Sequence, residues 1–293
     1  MRTIVHLSDL HFGRVDRELL EPLRDRVRAL EPHVVVVSGD LTQRAKPGQF
    51  REAKAFLDSL PQPQVVVPGN HDVPLYNVFQ RLFSPLGKYK RIISRDLEPE
   101  FIDEEVAVVG VNTARSLVLK DGSINSRQVE RVRSRMCALD DRVMKIVVTH
   151  HPFDVPEDHN DAEIVDKAER AMQAFLQCGA DLLLSGHLHK THTTSSGERY
   201  KTAGRIALIV QAGTATSTRA RGETNSFNCL RLTAGDIAIE RWQWNSFSKV
   251  FELGPEVEQT HDPHRHGVAV IIDVTRLQGG PGAGRGNFTM VRE

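Results

Sequence analysis

Seven side chains able to hold a metal recur in short blocks along the chain: Asp9 and His11, Asp40, Asn70, His150, and His187 with His189. The blocks read Asp9-x-His11, Gly39-Asp40, Gly69-Asn70-His71-Asp72, His150 before His151-Pro152, and Gly186-His187-x-His189. Carboxylate and amide oxygens mixed with imidazole nitrogens suit Mn, Fe or Zn better than Ca. No thiolate belongs to the set, which argues against Cu(I) or an iron–sulfur cluster. Two metals roughly 3.5–4 Å apart need a carboxylate between them. Asp40 is the natural bridge, since it lies at a central predicted strand and has no acidic neighbour in its loop.

Each block alone has an ordinary explanation. A lone Asp9 or Asp40 reads best as a turn or helix cap, and a lone Asn70 as a turn residue. A single histidine at a strand end is more often hydrogen-bonded structure than a ligand. Five such blocks in one order resist that explanation. His261, His264 and His266 provide the contrast. That cluster has no preceding strand and no Gly-Asp partner, and reads as solvated.

Every block must be positioned by what precedes it. Thr3 to Leu7, Val34 to Val37, Gln64 to Val67, Val106 to Val111, Lys145 to Val148 and Asp181 to Leu184 are short apolar runs that stop at polar loops. Such runs read as buried strands. Residues 17–30, 49–60, 126–139 and 162–178 carry apolar residues near the helical period. Alternating strand and helix predicts an α/β fold, with ligand groups gathered beyond the carboxyl ends of the strands. Past His189 the segments 205–212, 226–233 and 236–244 predict a largely antiparallel second half. Together the halves would make a sandwich of two sheets flanked by helices.

Residues 1–245 are expected to form the catalytic domain, with 246–293 as an appendage: an edge strand, an oligomer contact or a mobile tail. Val268 to Val274 is a strand candidate there. The glycine run Gly279 to Gly286 has too little chain after it for the helix a phosphate loop needs. Tyr76 to Tyr89 carries apolar residues that would suit a lid, though a helix packed on the core is the favoured reading.

Composition narrows the classes further. The chain has 293 residues, 38 basic and 38 acidic side chains, and a 40% hydrophobic fraction. Those proportions fit a globular protein and lack the basic excess of a dedicated nucleic-acid binder. Cys137, Cys178 and Cys229 are far apart and form no C-x-x-C pair. They predict small buried apolar residues rather than a disulfide framework or a zinc site. No apolar run is long enough to span a bilayer and no targeting segment is visible, so a cytoplasmic address is expected.

The five blocks, from residue 9 to residue 189, resemble the calcineurin-like metallophosphoesterase superfamily. The resemblance implies a four-layer αββα sandwich of two mixed sheets flanked by helices, and a dinuclear centre. It assigns Asp9, His11, Asp40 and His189 to one metal, and Asp40, Asn70, His150 and His187 to the other. His150 is preferred to His151 because the family motif places the ligand two residues before the proline. Within the superfamily, HLSDLHFG, SGDLT, PGNHD, THHP and SGHLH are similar to the bacterial class III cyclic nucleotide phosphodiesterases. Protein serine/threonine phosphatases differ in the second and third blocks, and lipid A pathway pyrophosphatases carry arginine where His71 stands.

The expected activity is hydrolysis of a small phosphate ester, 3′,5′-cyclic nucleotides first, by a hydroxide bridging two Mn, Fe or Zn ions. The alternatives are a broader phosphodiesterase or phosphomonoesterase, then a nuclease, then a metal-free scaffold. His71, next to ligand Asn70 but not itself needed as a ligand, is the expected catalytic group: it would protonate the leaving oxygen or bind the phosphate. Asp72 would orient His71 or serve only as a turn or cap residue. Arg14 and Arg44, just beyond two ligand loops, could reach a phosphate or a base but read first as surface residues, and Asn112, at a strand end, could lie near the centre without a chemical role. A homodimer is entertained, and no membrane partner is expected.

Overall fold

The computed structural model describes residues 1–115, 122–157, 159–200, 205–218, 222–233, 236–261 and 270–273. Its strands are β1 (Arg2–Leu7), β2 (Val34–Val37), β3 (Gln64–Val66), β4 (Glu100–Ile102), β5 (Val106–Gly110), β6 (Met144–Val148), β7 (Ala180–Ser185), β8 (His192–Ser195), β9 (Leu208–Gln211), β10 (Ser226–Thr233), β11 (Asp236–Asn245), β12 (Val250–His261) and β13 (Val270–Asp273). Its helices are α1 (Leu20–Ala29), α2 (Pro47–Ser59), α3 (Val78–Phe83), α4 (Gly87–Ile92), α5 (Ser126–Cys137), α6 (Ala168–Gln177) and α7 (Ser196–Arg199).

Two sheets form, ordered β13-β12-β11-β10-β1-β2-β3 and β4-β5-β6-β7-β9-β8. The strands β1, β2 and β3 run parallel, as do β5, β6, β7 and β9. Each sheet is mixed, because β10 meets β1, and β4 meets β5, antiparallel.

The pleat explains the layers. Successive side chains of a strand point to opposite faces. Val34 and Val36 enter an inter-sheet core with Ile146, Val148, Leu182 and Leu184. Val35 and Val37 enter an outer core with Leu23, Val27, Phe50 and Tyr89 of the helices. On the other side, Val147 and Leu183 meet Val132, Met136, Met172 and Phe175 of α5 and α6. The central parallel strands of both sheets are therefore dry on both faces, which is why they read as unbroken apolar runs. The fold is the expected four-layer α/β sandwich.

Several expectations need correction. The two sheets do not correspond to the two halves of the chain: β10–β13 extend the β1–β3 sheet, and β8 and β9 join β4–β7. The helix expected over 162–178 starts only at Ala168, after a 3₁₀ turn at Asp161–Glu163. Residues 164–166 are drawn off the helix by extended pairing, in which the Asp166 amide bonds to the Gly122 carbonyl at 2.8 Å. The Tyr76 to Tyr89 stretch is two short helices. Tyr89 on α4 is fully buried, whereas α3 leaves Phe79 and Phe83 exposed.

Cys137 and Cys178 form a disulfide, joining the C-terminal ends of the neighbouring helices α5 and α6. Their separation of 41 residues concealed this contact in the sequence. Cys229 is free and buried, as expected. Strand β12 also escaped the sequence reading. Gly254-Pro255 interrupts its pattern, and the β11–β12 register shifts there, between Glu240 and Trp242. A proline, which cannot donate to the ladder, is tolerated at such an irregularity. The Val268 to Val274 candidate appears as β13 on the sheet edge. The glycine run at 279–286 and His264 and His266 lie outside the described residues.

Candidate metal centre

Each block occupies the carboxyl end of a parallel strand: Asp9 and His11 follow β1, Asp40 follows β2, and Asn70 and His71 follow β3. His150 follows β6, and His187 and His189 follow β7. Backbone bonds lock the loops together. The Asp9 amide donates to the Gly39 carbonyl (3.2 Å), and the His11 amide to that of Asp40 (2.9 Å). The His71 amide donates to Asp40 Oδ1 (2.8 Å), and the His187 amide to Asp9 Oδ2 (3.0 Å).

The backbone is strained where these side chains emerge. Asp9, His11, Asp40, His187 and His189 all have positive φ, between 49° and 77°. Non-glycine residues rarely adopt this region, which costs of order 1–3 kcal/mol each and survives only where the surroundings impose it. The loops also approach one another closely. A Cβ at Gly69 would lie 2.2 Å from Asp40 Oδ1.

The predicted residues converge. Asp9, His11, Asp40 and His189 are buried and offer ligand atoms within 4.8 Å of one another; His150, His151 and His187 form a second such group. Asp9 Oδ1 lies 3.4 Å from His11 Nε2 and 3.3 Å from His189 Nε2, and those two nitrogens are 3.1 Å apart. The Asn70 Oδ1 atom is 3.0 Å from His150 Nε2 and 3.1 Å from His187 Nδ1. Asp40 reaches both groups, with Oδ2 at 3.6 Å from His11 Nε2 and Oδ1 at 3.3 Å from His150 Nε2. His151 also falls in the second group, but its Nδ1 is 2.8 Å from the Thr113 hydroxyl.

The donor chemistry fits a cation. His150 Nδ1 is 2.7 Å from the Ser38 carbonyl, an acceptor, so it must carry the hydrogen. A neutral ring then turns a bare Nε2 lone pair toward the oxygens of Asp40 and Asn70. Only a proton or a metal ion between them removes that repulsion. Burial alone would lower the pKa of His150, but the Asp40 carboxylate beside it overrides this and pushes it up to about 9. Burial and the neighbouring His150 push His187 down to about 3. Burial works to raise the carboxyls of Asp9 and Asp40, yet the surrounding imidazoles hold both well below the usual range. Two buried carboxylates thus share a site whose neighbouring positive charge comes from imidazoles, an arrangement that favours metal coordination.

His71 lies at the mouth. Its Nε2 is 4.0 Å from Asp40 Oδ2, and its side chain keeps about 21% of its surface exposed. Its Nδ1 is 3.0 Å from the Gln43 carbonyl and 3.3 Å from Gln43 Nε2. Nothing in its residue type marked Gln43 in advance, since a glutamine carries no chemistry of its own. Asp72 is a loop tie: its carboxylate accepts from the amides of Leu41 (3.1 Å), Thr42 (2.9 Å) and Gly69 (3.0 Å), and from the Thr42 hydroxyl. Burial and the charge of Asp40 push its pKa up to about 6. Of the two roles expected for Asp72, these bonds match the turn residue. Asp72→Ala strands three buried amides and is expected to cost about 2–4 kcal/mol in urea unfolding; an unchanged midpoint would refute this role.

Ser8 was also missed. Its hydroxyl donates to Asp9 Oδ2 (2.6 Å) and helps to fix that carboxylate. Asn112 Oδ1 caps the Ala114 amide (3.0 Å). Arg14 and Arg44 are exposed.

Residues 2–191 match the family model described as calcineurin-like phosphoesterase. The chain is 26% identical over 191 residues to the uncharacterized protein YpbG of Bacillus subtilis, covering 64% of this chain and 61% of that protein. It is 27% identical over 215 residues to a probable cyclic nucleotide phosphodiesterase of Rhodococcus erythropolis, covering 66% of each. The chain thus spans less than two thirds of the length of these relatives. Among solved structures, a dimetal phosphatase from Danio rerio aligns with a TM-score of 0.59 at 15% identity, covering 82% of this chain and 95% of that one, a likeness of fold. The match spans well over half of the sequence and contains all five blocks: the chain belongs to the calcineurin-like phosphoesterase family.

Proposed function

We propose that this protein is a dinuclear-metal phosphodiesterase acting on small phosphate esters, 3′,5′-cyclic nucleotides first among them. The observation that carries this reading is the position of Asp40, whose two carboxylate oxygens face separate groups of donors. Asp9, His11, Asp40 and His189 would hold one ion; Asp40, Asn70, His150 and His187 would hold the other. Manganese, iron or zinc suits the oxygen and nitrogen donors. Bound there, the pair would supply Lewis acidity at the phosphoryl oxygens and the activation of water.

The protein's own groups do the rest. Gln43 sets the ring of His71 through Nδ1. That leaves Nε2 to hold a proton for the departing ester oxygen or to bond the phosphate. The similarity to a probable cyclic nucleotide phosphodiesterase supports the substrate class. A cytoplasmic address belongs to this reading; no helix among the described residues is long and apolar enough to cross a membrane.

The test is a panel of cyclic AMP, cyclic GMP, their 2′,3′ isomers, cyclic dinucleotides and phosphomonoesters, with manganese supplied. Preference for the 3′,5′-cyclic compounds is expected. Preference for monoesters would replace this reading with a phosphomonoesterase, and no turnover of any ester would end it. Stripping the metals should also lower the melting temperature. Each site filled at a hundredfold excess over Kd adds about 2.7 kcal/mol, or roughly 4 °C for a chain of this size. Calorimetry before and after chelation checks this, and an unshifted transition would contradict buried coordination.

A further inference from the structure

Beside the mouth of the site lies an apolar surface that hydrolysis itself does not use. Tyr76, Val78, Phe79 and Phe83 are 78%, 63%, 76% and 74% exposed, within twelve residues of His71. The rings of Phe79 and Phe83 are 4.7 Å apart and form a pair. One contact ties it to the centre. The Arg44 guanidinium lies over the Tyr76 ring, 5.8 Å from its centroid. Arg44 directly follows Gln43, which holds His71.

We propose that Tyr76 and Arg44 form the subsite for the nucleoside part of the substrate, with the base stacking on the open face of the Tyr76 ring. This rests on the phosphodiesterase reading and specifies which esters the site prefers. His71 is partly exposed beside Asp40 and its ring bonds Gln43, next to Arg44, so this rim offers one path along which the rest of a molecule with its phosphorus at the Asp40 donors can extend. Two properties of that rim match a nucleotide. The tyrosine offers a flat, accessible π face, which stacks any base without regard to sequence. Arg44 forms no ion pair with a carboxylate among the described residues, and its charge complements a phosphate-bearing ligand. A glycerol-sized alcohol has no ring to place there.

The experiment compares the manganese-loaded full chain with Tyr76→Ala and Tyr76→Phe. It measures kcat/KM for cyclic AMP and for a ring-free glycerophosphodiester, and the Kd of AMP by titration calorimetry. In Tyr76→Ala the preference for cyclic AMP over the ring-free ester should fall by about tenfold or more, mainly through KM. AMP binding should weaken in parallel, and Tyr76→Phe should retain both. An unchanged preference with unchanged AMP affinity overturns the proposal. So does a change of oligomeric state in Tyr76→Ala by sedimentation, which would make the ring a subunit contact. If the wild type hydrolyses neither ester, the phosphodiesterase reading falls, and the AMP titrations still decide the stacking platform on their own.

Discussion

Asp40→Ala, purified in the presence of manganese, should carry fewer than two metal ions per chain and lose at least about a thousandfold in turnover. The carboxylate faces both donor groups, so its loss weakens both proposed positions at once. Metal-ion catalysis contributes several kcal/mol, and each 1.36 kcal/mol is a factor of ten in rate. The fold should survive the change. The substitution frees one amide, that of His71, while relieving the repulsion between two buried carboxylates. Elemental analysis and circular dichroism on the same sample separate the outcomes. A folded variant that keeps two ions would contradict the bridging role.

His71→Asn should behave in the opposite way: both ions stay, and kcat falls by about 10²–10⁴-fold, the usual worth of a general acid or base. The ring lies 4.0 Å from Asp40 Oδ2 and is the more exposed partner of that pair, as a group that meets substrate must be. Leaving-group dependence gives the sharper test. An ester with a p-nitrophenolate leaving group needs little help from an acid, whereas an alkoxide needs much. The defect should therefore shrink for the aryl ester and be full for the alkyl one. Equal losses would assign His71 to holding the phosphate rather than to delivering a proton. Full activity with both would remove it from the chemistry altogether.

The centre was unusually legible in the sequence because its residues are of scarce types in fixed local order. Asp9, His11, Asp40, Asn70, His150, His187 and His189 each follow an apolar run, and the run announces the strand. The central strands were legible for the same reason: burial on both faces leaves no polar alternation to confuse with helix. What stayed hidden is what depends on distant partners. Gln43 became visible only once its loop was folded against His71. The Cys137–Cys178 link required the packing of α5 beside α6. Strand β12 hid behind Gly254-Pro255, which breaks local propensity while tertiary pairing carries the strand through. The sheet to which β9 belongs was unreadable, since pairing of non-consecutive strands leaves no mark on either one.

The donors are divided between the sheets: Asp9, His11, Asp40 and Asn70 leave one, and His150, His187 and His189 leave the other. The proposed metal pair, gripped by both, would act as a rivet through two leaves. Its hold depends on their alignment, and coordination tolerates errors of only a few tenths of an ångström. That alignment is set by the interdigitated layer of Val34, Val36, Ile146, Val148, Leu182 and Leu184. Hydrocarbon packing well away from any polar atom would thereby help determine how tightly the protein keeps the proposed ions.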